Sequence, residues 1–563
     1  MYRTRRYMVI LAFSVSFLFL FIRLFCLQII DRGRYSGIAD RQHNQILQID
    51  ARRGTIFDRY MDPLAINMEV QSVFCNPRII SDKAGIADIL SSVLEIDAAD
   101  VRDKLQKDKA FVWIKRKIDH ASYEKLSAMN LKGVYFRPES IRKYPNDSMA
   151  AHLLGFVGID NEGLEGLELL YDHELKGRPG RRFETRDARM RSVLRKEKMS
   201  VSPQNGNNLT LTIDSVIQYI AETELGAMVE TFNAAGGIVI VMEPSSGKIL
   251  ALANIPVYDP NNISGIRPEE LKNSAISDVF EPGSVFKIVT ASAALEEGVI
   301  TLSDKVYCEN GKFKVCGRIL NDYHPYGELS FEDVVAKSSN IGVVKTAQKL
   351  GNEKLFEYIQ KFGFGEKSGI DSPGEVPGIS RPPKIWSRSD ITTIPMGQGI
   401  AVTPLQLASA VSVIANGGYL MKPYVVEDVT TWEGGEIRKV LPEKKRQVIS
   451  GNTCEKMKKA MRKVMTDGTG RNALSKRYES CGKTGTAQMV NPQGGYYPDK
   501  YYATFIGFAP MENPLISVVV VARDPRPQHF GGTVAGPVFK RITEKTLEYL
   551  GAEEIKVLPP TKK

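Results

Sequence analysis

Residues 280–299 read FEPGSVFKIVTASAALEEGV, and the rest of the chain is read around them. Pro282 and Gly283 precede Ser284, and Lys287 stands three positions further on. The remainder is mostly small and apolar as far as Gly298. Pro-Gly ahead and Gly behind are boundary signals, so the spacing predicts a helix of about four turns. Residues i and i+3 share a helix face. A serine hydroxyl becomes a nucleophile only with a base in hydrogen-bond reach. A lysine serves as that base when burial or a nearby cation lowers its pKa. A first-turn serine also lies at the positive end of the helix dipole, which favours an oxyanion. The same stretch equally fits an ordinary buried helix that holds a Ser and a Lys.

The pattern alone is weak. S-x-x-K occurs five times, beginning at Ser122, Ser140, Ser245, Ser284 and Ser480. The match at Ser245 lies in EPSSGK between two apolar runs and reads as a hairpin turn. A motif without its context is a hypothesis.

The chain has 563 residues, too many for one core, so several domains are expected. It is 43% hydrophobic and 25% charged, a globular composition, with a net charge of +10. That excess suits anionic surfaces or polymers without indicating nucleic acid. No zinc-finger spacing, P-loop or dinucleotide glycine pattern is present. The six histidines are scattered, with no H-E-x-x-H, so neither a His-based triad nor a zincin is indicated. No metal or cofactor is expected.

MYRTRR is basic, and residues 7–27, YMVILAFSVSFLFLFIRLFCL, carry one charge, Arg23. Twenty-one helical residues span ~30 Å, the hydrocarbon core of a bilayer. Arg23, near one end, can snorkel to the interface. Positive residues ahead of the span predict a cytoplasmic N-terminus and an extracytoplasmic remainder. A cleaved signal peptide is the alternative; the long apolar run and the lack of a nearby small-x-small site favour an uncleaved anchor. Cys26 lies in the span, and Cys75, Cys454 and Cys481 look isolated. Cys308 and Cys316 flank ENGKFKV, a hairpin candidate, and are spaced either for a disulfide or for two free thiols.

After a polar connector, about 28–50, RRGTIFDRYMDPLAIN (52–67) opens a mixed region reaching about residue 200. AGIADILSSVLEI and ASYEKLSAMNL read as helices there. The basic run 176–198 reads as a solvated ribbon or as a contact for an anionic polymer. SPQNGNN (202–208) is a turn-rich boundary. Beyond it LTLTI reads as a strand, and a helix follows with Asp214 at its cap. GGIVIVME and GKILALAN read as strands around the turn at Pro244–Gly247. YESCGKTGTAQMV, YATFIGFAP and LISVVVVARD read as three late strands, and Ala535–Leu550 as a closing helix. Early and late strands with helices between them predict one sheet with helices packed on it.

Two further motifs join the first. AKSSNIGVV gives Ser338-Ser339-Asn340, and CGKTGTAQ gives Lys483-Thr484-Gly485-Thr486. Each has decoys, Ser450-Gly451-Asn452 and Lys367-Ser368-Gly369. The ordered set S-x-x-K, S-x-N, K-T-G is the specific signal, the signature of active-site serine penicillin-recognising enzymes.

On these motifs the chain resembles class B penicillin-binding proteins over nearly its whole length. RRGTIFDRYMDPLA is similar to the family's R-G-x-I-x-D-R-x-G-x-x-L-A box, and GLEGLELLYDHELKGRPG to its G-x-x-G-x-E box. GKFKVCGRILNDYHPYGELSFEDVVAKSSNIG resembles the septal, division-type branch. No glycosyltransferase domain, as in class A, and no repeat domain after residue 550 is expected. The chain departs from the family with Met61 and Met190 where Gly is usual, so those turns are expected to differ locally.

The resemblance implies a multidomain α+β architecture: a cytoplasmic N-terminus (1–6), one transmembrane anchor (7–27), an elongated α/β pedestal (28–204), a transpeptidase domain with an antiparallel sheet flanked by helices (205–550) and a tail (551–563). It also implies roles. Ser284 attacks the penultimate D-Ala carbonyl of a peptidoglycan stem peptide, and Lys287 accepts its proton. Lys483 nearby, with desolvation, is expected to depress the Lys287 pKa. Ser338 relays a proton to the leaving amine, and Asn340 holds the substrate amide. Lys483, Thr484, Gly485 and Thr486 form the site for the terminal carboxylate. The N–H groups of Ser284 and Thr486 form the oxyanion hole. Implied partners are stem peptides ending in D-Ala-D-Ala, covalently bound β-lactams, the inner membrane, a SEDS-family glycosyltransferase and other divisome membrane proteins, and no nucleic acid. Arg53, Asp58 and Arg59 are expected at the partner contact or, alternatively, in an internal ion cluster that orders the pedestal.

Two rivals remain on the same fold. A class A β-lactamase would carry a glutamate in E-x-x-L-N, and the nearest stretch, GRILN, has Gly317 there. A penicillin sensor or division scaffold would have no need of an intact motif set.

Overall fold

The computed structural model describes residues 2–36, 44–186, 192–193 and 201–555. The chain divides into two units, 1–52 with 177–206, and 53–176 with 207–563. In the first, an α-helix Tyr2–Phe25 continues into a π-helical turn, Cys26–Ile30. The stretch Tyr2–Ile30 is long and apolar enough to cross a membrane, and none of its side chains is buried among the described residues. The same unit holds an antiparallel sheet in the order Asn44–Ile49, Gly180–Arg186, Ser192–Val193. Met190 and part of the basic run, 187–191 and 194–198, lie outside the described residues.

The second unit is built on a five-stranded antiparallel sheet. Its order is Ile249–Ile255, Gly236–Met242, Ile516–Arg523, Tyr496–Ala509, Cys481–Val490. All seven residues of Gly236–Met242 are buried, because helices cover both faces. Ile238, Ile240 and Met242 share a core with Val411 and Ile414 of the Pro404–Ala415 helix and Val289 of Lys287–Glu296. Val239 and Val241 point the other way, to Ile217 and Leu225 of Ser215–Thr231 and Phe539 of Gly536–Tyr549. That alternation is the period of two of a strand between two layers. The hairpin read from EPSSGK is present, with Gly247 at φ +87° and Ser246 Oγ donating to the Glu243 carboxylate.

The strand expected from LTLTI does not join this sheet. Asn208–Leu211 pairs antiparallel with Val426–Thr430 and parallel with Ile56–Phe57. Through Ile56–Phe57 it connects to Pro63–Cys75, which pairs with Val112–Ile118 and Val134–Lys143. All four residues of Asn208–Leu211 are buried, and a strand buried on both edges needs a partner on each. A local run of alternating residues cannot say which partners those are.

Arg53 lies in an internal ion cluster, the second of its two expected placements, and Asp58 is buried as well. Arg53 is 1% exposed and bonds Glu168 Oε2 and Asp172 Oδ1, each at 2.6 Å. Arg142 takes the other Glu168 oxygen, also at 2.6 Å. Asp58 Oδ1 accepts from the N–H groups of Tyr60 and Asp62, and its Oδ2 accepts from Ser215 Oγ at 2.7 Å. This frame holds Met61 at φ +69°, so the turn usually made by Gly survives with a strained side-chain-bearing residue. Arg59 is half-buried, its guanidinium over the Tyr60 ring.

Candidate active site

The helix expected from Ser284 begins as a 3₁₀ turn, Gly283–Phe286, and becomes α-helical over Lys287–Glu296. Gly283 has φ +56°, and its N–H donates to Gly397 O at 3.0 Å. A Cβ on Gly397 would sit 2.2 Å from Gly283 O, so only glycine permits this clamp. The turn packs against the sheet's edge strand, Cys481–Val490. There a Cβ on Gly485 would lie 2.9 Å from Val285 Cγ1 and 3.1 Å from Pro282 O. The glycine of K-T-G thus lets the serine turn approach the edge strand of the sheet, and a sheet edge is where an extended ligand can add by backbone pairing.

Ser284 is half-buried at this junction, and its hydroxyl has no side-chain partner among the described residues. Lys287 is 1% exposed, and its Nζ donates to Ser338 O at 2.6 Å, Asn340 Oδ1 at 2.7 Å and Ser338 Oγ at 3.2 Å. Lys483 is fully buried and donates to the same Ser338 Oγ at 2.9 Å and to Thr484 O at 3.2 Å. The three motifs therefore converge on one hydroxyl. Ser338 has φ +60°, a conformation uncommon for a residue with a Cβ and a frequent mark of functional sites. Asn340 Nδ2 donates to Asn321 O at 2.9 Å, so its amide is held at both ends. Thr484 Oγ1 lies 2.6 Å from Thr469 Oγ1, and Thr486 Oγ1 accepts from Gly531 N at 3.1 Å.

Burial pulls the Lys287 amine down to about 7, against the opposing pull of Asp322. Lys483 is held well below the ordinary lysine range, first by burial and then by Lys287. Of the two expected causes, desolvation leads on both amines, and the repulsion between them is mutual. Among the described residues no carboxylate bonds either amine; the acceptors are hydroxyls, carbonyls and an amide. An amine so placed can give up its proton near neutral pH and serve as a base.

Three features escaped the sequence reading. Asp322 accepts from Asn340 N and Ser339 Oγ, each at 2.5 Å, and from Ile341 N at 3.1 Å. Thr469 and Gly531 engage the two threonines of K-T-G-T. No spacing rule connects any of them to the motifs, although Asp322 directly follows RILN. Gly317, where a β-lactamase glutamate would stand, is a hairpin-turn residue at φ +76°. Cys308 and Cys316 are free thiols. Cys308 is buried against Ser339 Oγ, while Cys316 is exposed and donates to Arg388 O.

Two desolvated lysines that share the Ser338 hydroxyl, with Ser284 one turn ahead of Lys287 at the sheet edge, fit a serine acyl-transfer enzyme of the penicillin-recognising kind. The comparisons agree. The penicillin-binding protein transpeptidase domain matches residues 237–544, and the penicillin-binding protein dimerisation domain residues 48–211. Stage V sporulation protein D of Bacillus subtilis is 36% identical over 560 residues, 98% of this chain and 86% of that protein. The peptidoglycan D,D-transpeptidase FtsI of Escherichia coli K12 is 32% identical over 543 residues, 95% of this chain and 90% of that protein. A peptidoglycan synthetase structure from Bifidobacterium adolescentis superposes with TM-score 0.73 at 27% identity, covering 92% of this chain and 98% of that one. Penicillin-binding protein 3 of Mycobacterium tuberculosis, complexed with aztreonam, gives 0.71 at 26% identity, covering 91% and 99%. The chain belongs to the class B penicillin-binding proteins, the serine-type peptidoglycan D,D-transpeptidases.

Proposed function

We propose that Ser284 carries the acyl group and that Lys287, Ser338, Asn340 and Lys483 serve it. The observation that carries this reading is the single hydroxyl of Ser338, bonded by two buried amines, one of them on Lys287, three residues after the half-buried Ser284. Neutral Lys287 takes the Ser284 proton as Oγ attacks the penultimate D-Ala carbonyl of a stem peptide. The N–H groups of Ser284 and Thr486 receive the oxyanion. Ser338, bonded to both amines, passes a proton to the departing D-Ala amine, and the ester remains on Ser284. Asn340 orients the substrate amide, and Lys483 with Thr484, Gly485 and Thr486 receives the terminal carboxylate. The amine of a neighbouring stem then attacks the ester, which regenerates Ser284 and makes the crosslink. A β-lactam, whose ring amide stands in for the D-Ala-D-Ala bond, acylates the same oxygen without release. The drug complex of the mycobacterial relative supports that reading.

The test is labelling of the full chain with a fluorescent penicillin, followed by peptide mapping. Label on the Ser284 peptide that is lost in Ser284→Ala is the expected result; label persisting in the purified, folded variant would sink the assignment.

Residues 7–27 are read as a single-pass anchor in the cytoplasmic membrane, N-terminus inside, with the pedestal (28–204) and transpeptidase domain (205–550) outside. The apolar helix and the basic residues ahead of it support this. The cellular role is read as crosslinking at the division septum, in company with a SEDS-family glycosyltransferase, since a crosslinker needs newly made glycan strands. Similarity to FtsI favours this reading. The 36% identity to a sporulation protein favours a second, wall synthesis during spore formation. A fluorescent fusion concentrated at mid-cell in growing cells supports the first, and expression confined to sporulating cells the second.

A further inference from the structure

We propose that Asp322 is a positioning residue for this acylation site: from outside the 340–350 helix it caps the helix start, and so fixes Ser338 and Asn340 against Lys287. The inference rests on the roles proposed above for those residues.

The first N–H groups of a helix have no intrahelical acceptor. Asn340–Leu350 has its own cap, Ser339, whose Oγ accepts from Gly342 N at 2.9 Å. That leaves the N–H groups of Asn340 and Ile341, and Asp322 Oδ1 accepts both, at 2.5 and 3.1 Å. Its Oδ2 accepts the Ser339 hydroxyl proton at 2.5 Å, which orients that cap oxygen toward Gly342. The adjoining carbonyl, Asn321 O, accepts from Asn340 Nδ2 and leaves Oδ1 for Lys287. One dipeptide at the end of the Arg318–Asn321 strand thus holds Ser339 and Asn340. Ser338 directly precedes them, at φ +60°, a backbone conformation that persists only where its surroundings enforce it. A carboxylate at a helix N-terminus is also favoured by the helix dipole.

The carboxylate has a second consequence. It is the acid that faces Lys287 and resists the loss of its proton. The other groups around this point are Lys483 on the edge strand, Lys345 on the same helix (paired with Glu309 at 2.6 Å), and Cys308 and Tyr326, both of which face Asp322.

Asp322→Asn keeps the shape and one good acceptor and removes the charge; Asp322→Ala removes both. Acylation of the full chain in detergent by a penicillin is followed from pH 5 to 9, with the modified peptide identified. The acidic limb of the wild-type profile reports deprotonation of the base. In Asp322→Asn this limb is expected at lower pH, because the neutral amine no longer competes with a facing carboxylate. On the alkaline plateau Asp322→Asn is expected to retain at least tenfold more of the wild-type rate than Asp322→Ala. A merely structural residue would lower the rate without moving the limb. Acylation at Ser284 with an unmoved limb in Asp322→Asn, or a wild-type rate in folded Asp322→Ala, overturns the inference and leaves the Ser284 assignment intact. Wild-type acylation at a residue other than Ser284 overturns both.

Discussion

Two regions of the catalytic unit bury cationic side chains and treat them oppositely. In the pedestal, Arg53 and Arg142 grip the fully buried Glu168, with Asp172 as a further partner. Burial pulls the Arg53 guanidinium down, yet Glu168 and Asp172 outweigh it and leave it raised. In the cleft, Lys287 and Lys483 are equally buried, but among the described residues they bond only neutral acceptors, and Asp322 faces Lys287 without bonding it. Their protons are therefore easily lost. Pairing a buried charge with a carboxylate orders a fold. Denying it one, where the cation is a lysine rather than an arginine, leaves a group able to act as a base.

This contrast can be broken at several points. The largest effect is expected from Ser284→Ala, which removes the acyl acceptor: acylation should fall on the order of 10⁶-fold while the melting temperature stays near wild type. A melt lowered in step with activity would mean that the cleft is a structural element like the Arg53–Arg142–Glu168 cluster. Lys287→Met should cost about 10³- to 10⁴-fold in acylation at pH 7. Stopped-flow labelling that finds the variant within tenfold of wild type would remove Lys287 as the base.

Glu168→Ala acts on the other region. It strands the buried Arg142 and leaves Arg53 with Asp172 alone, and a loss of about 3–5 kcal/mol in stability is expected. Penicillin labelling per folded molecule should be unchanged, since Ser284 and its lysines bond none of these groups. A variant of unaltered stability but reduced labelling would mean that the two regions are coupled.

The last effect is gradual and concerns pH and stability. Lys287 has its pKa lowered on folding, from the ordinary lysine range of about 10.4 to about 7. Between those values the unfolded chain binds the extra proton, so stability rises with pH. The stability of wild type relative to Lys287→Met should climb through that window by up to about 1.4 kcal/mol per pH unit, and flatten below pH 7. A flat difference from pH 7 to 10 would show that the amine is not desolvated in the folded protein. The paired arginines predict no such slope, because they stay charged throughout.

The sequence by itself determined the reaction. Ser284, Lys287, Ser338, Asn340 and Lys483 belong to three short motifs whose order and local context single them out from several decoys. Periodicity was equally direct for Gly236–Met242 and Ile516–Arg523, where unbroken apolar runs bounded by turns leave little but a buried strand. Tertiary structure decided the rest. Whether Arg53 faced a partner or the interior depended on Glu168, 115 residues away, and its arginine pattern is the same in either case. The partners of Asn208–Leu211 came from residues 56–57 and 426–430, a pairing that no local pattern encodes. The source of the Lys287 shift lay in its burial, which depends on everything packed around it. Asp322 bonds the S-x-N helix through backbone N–H groups, which every residue but proline carries. Such a contact leaves no mark at the other end of the sequence, and only the folded chain shows where the carboxylate goes.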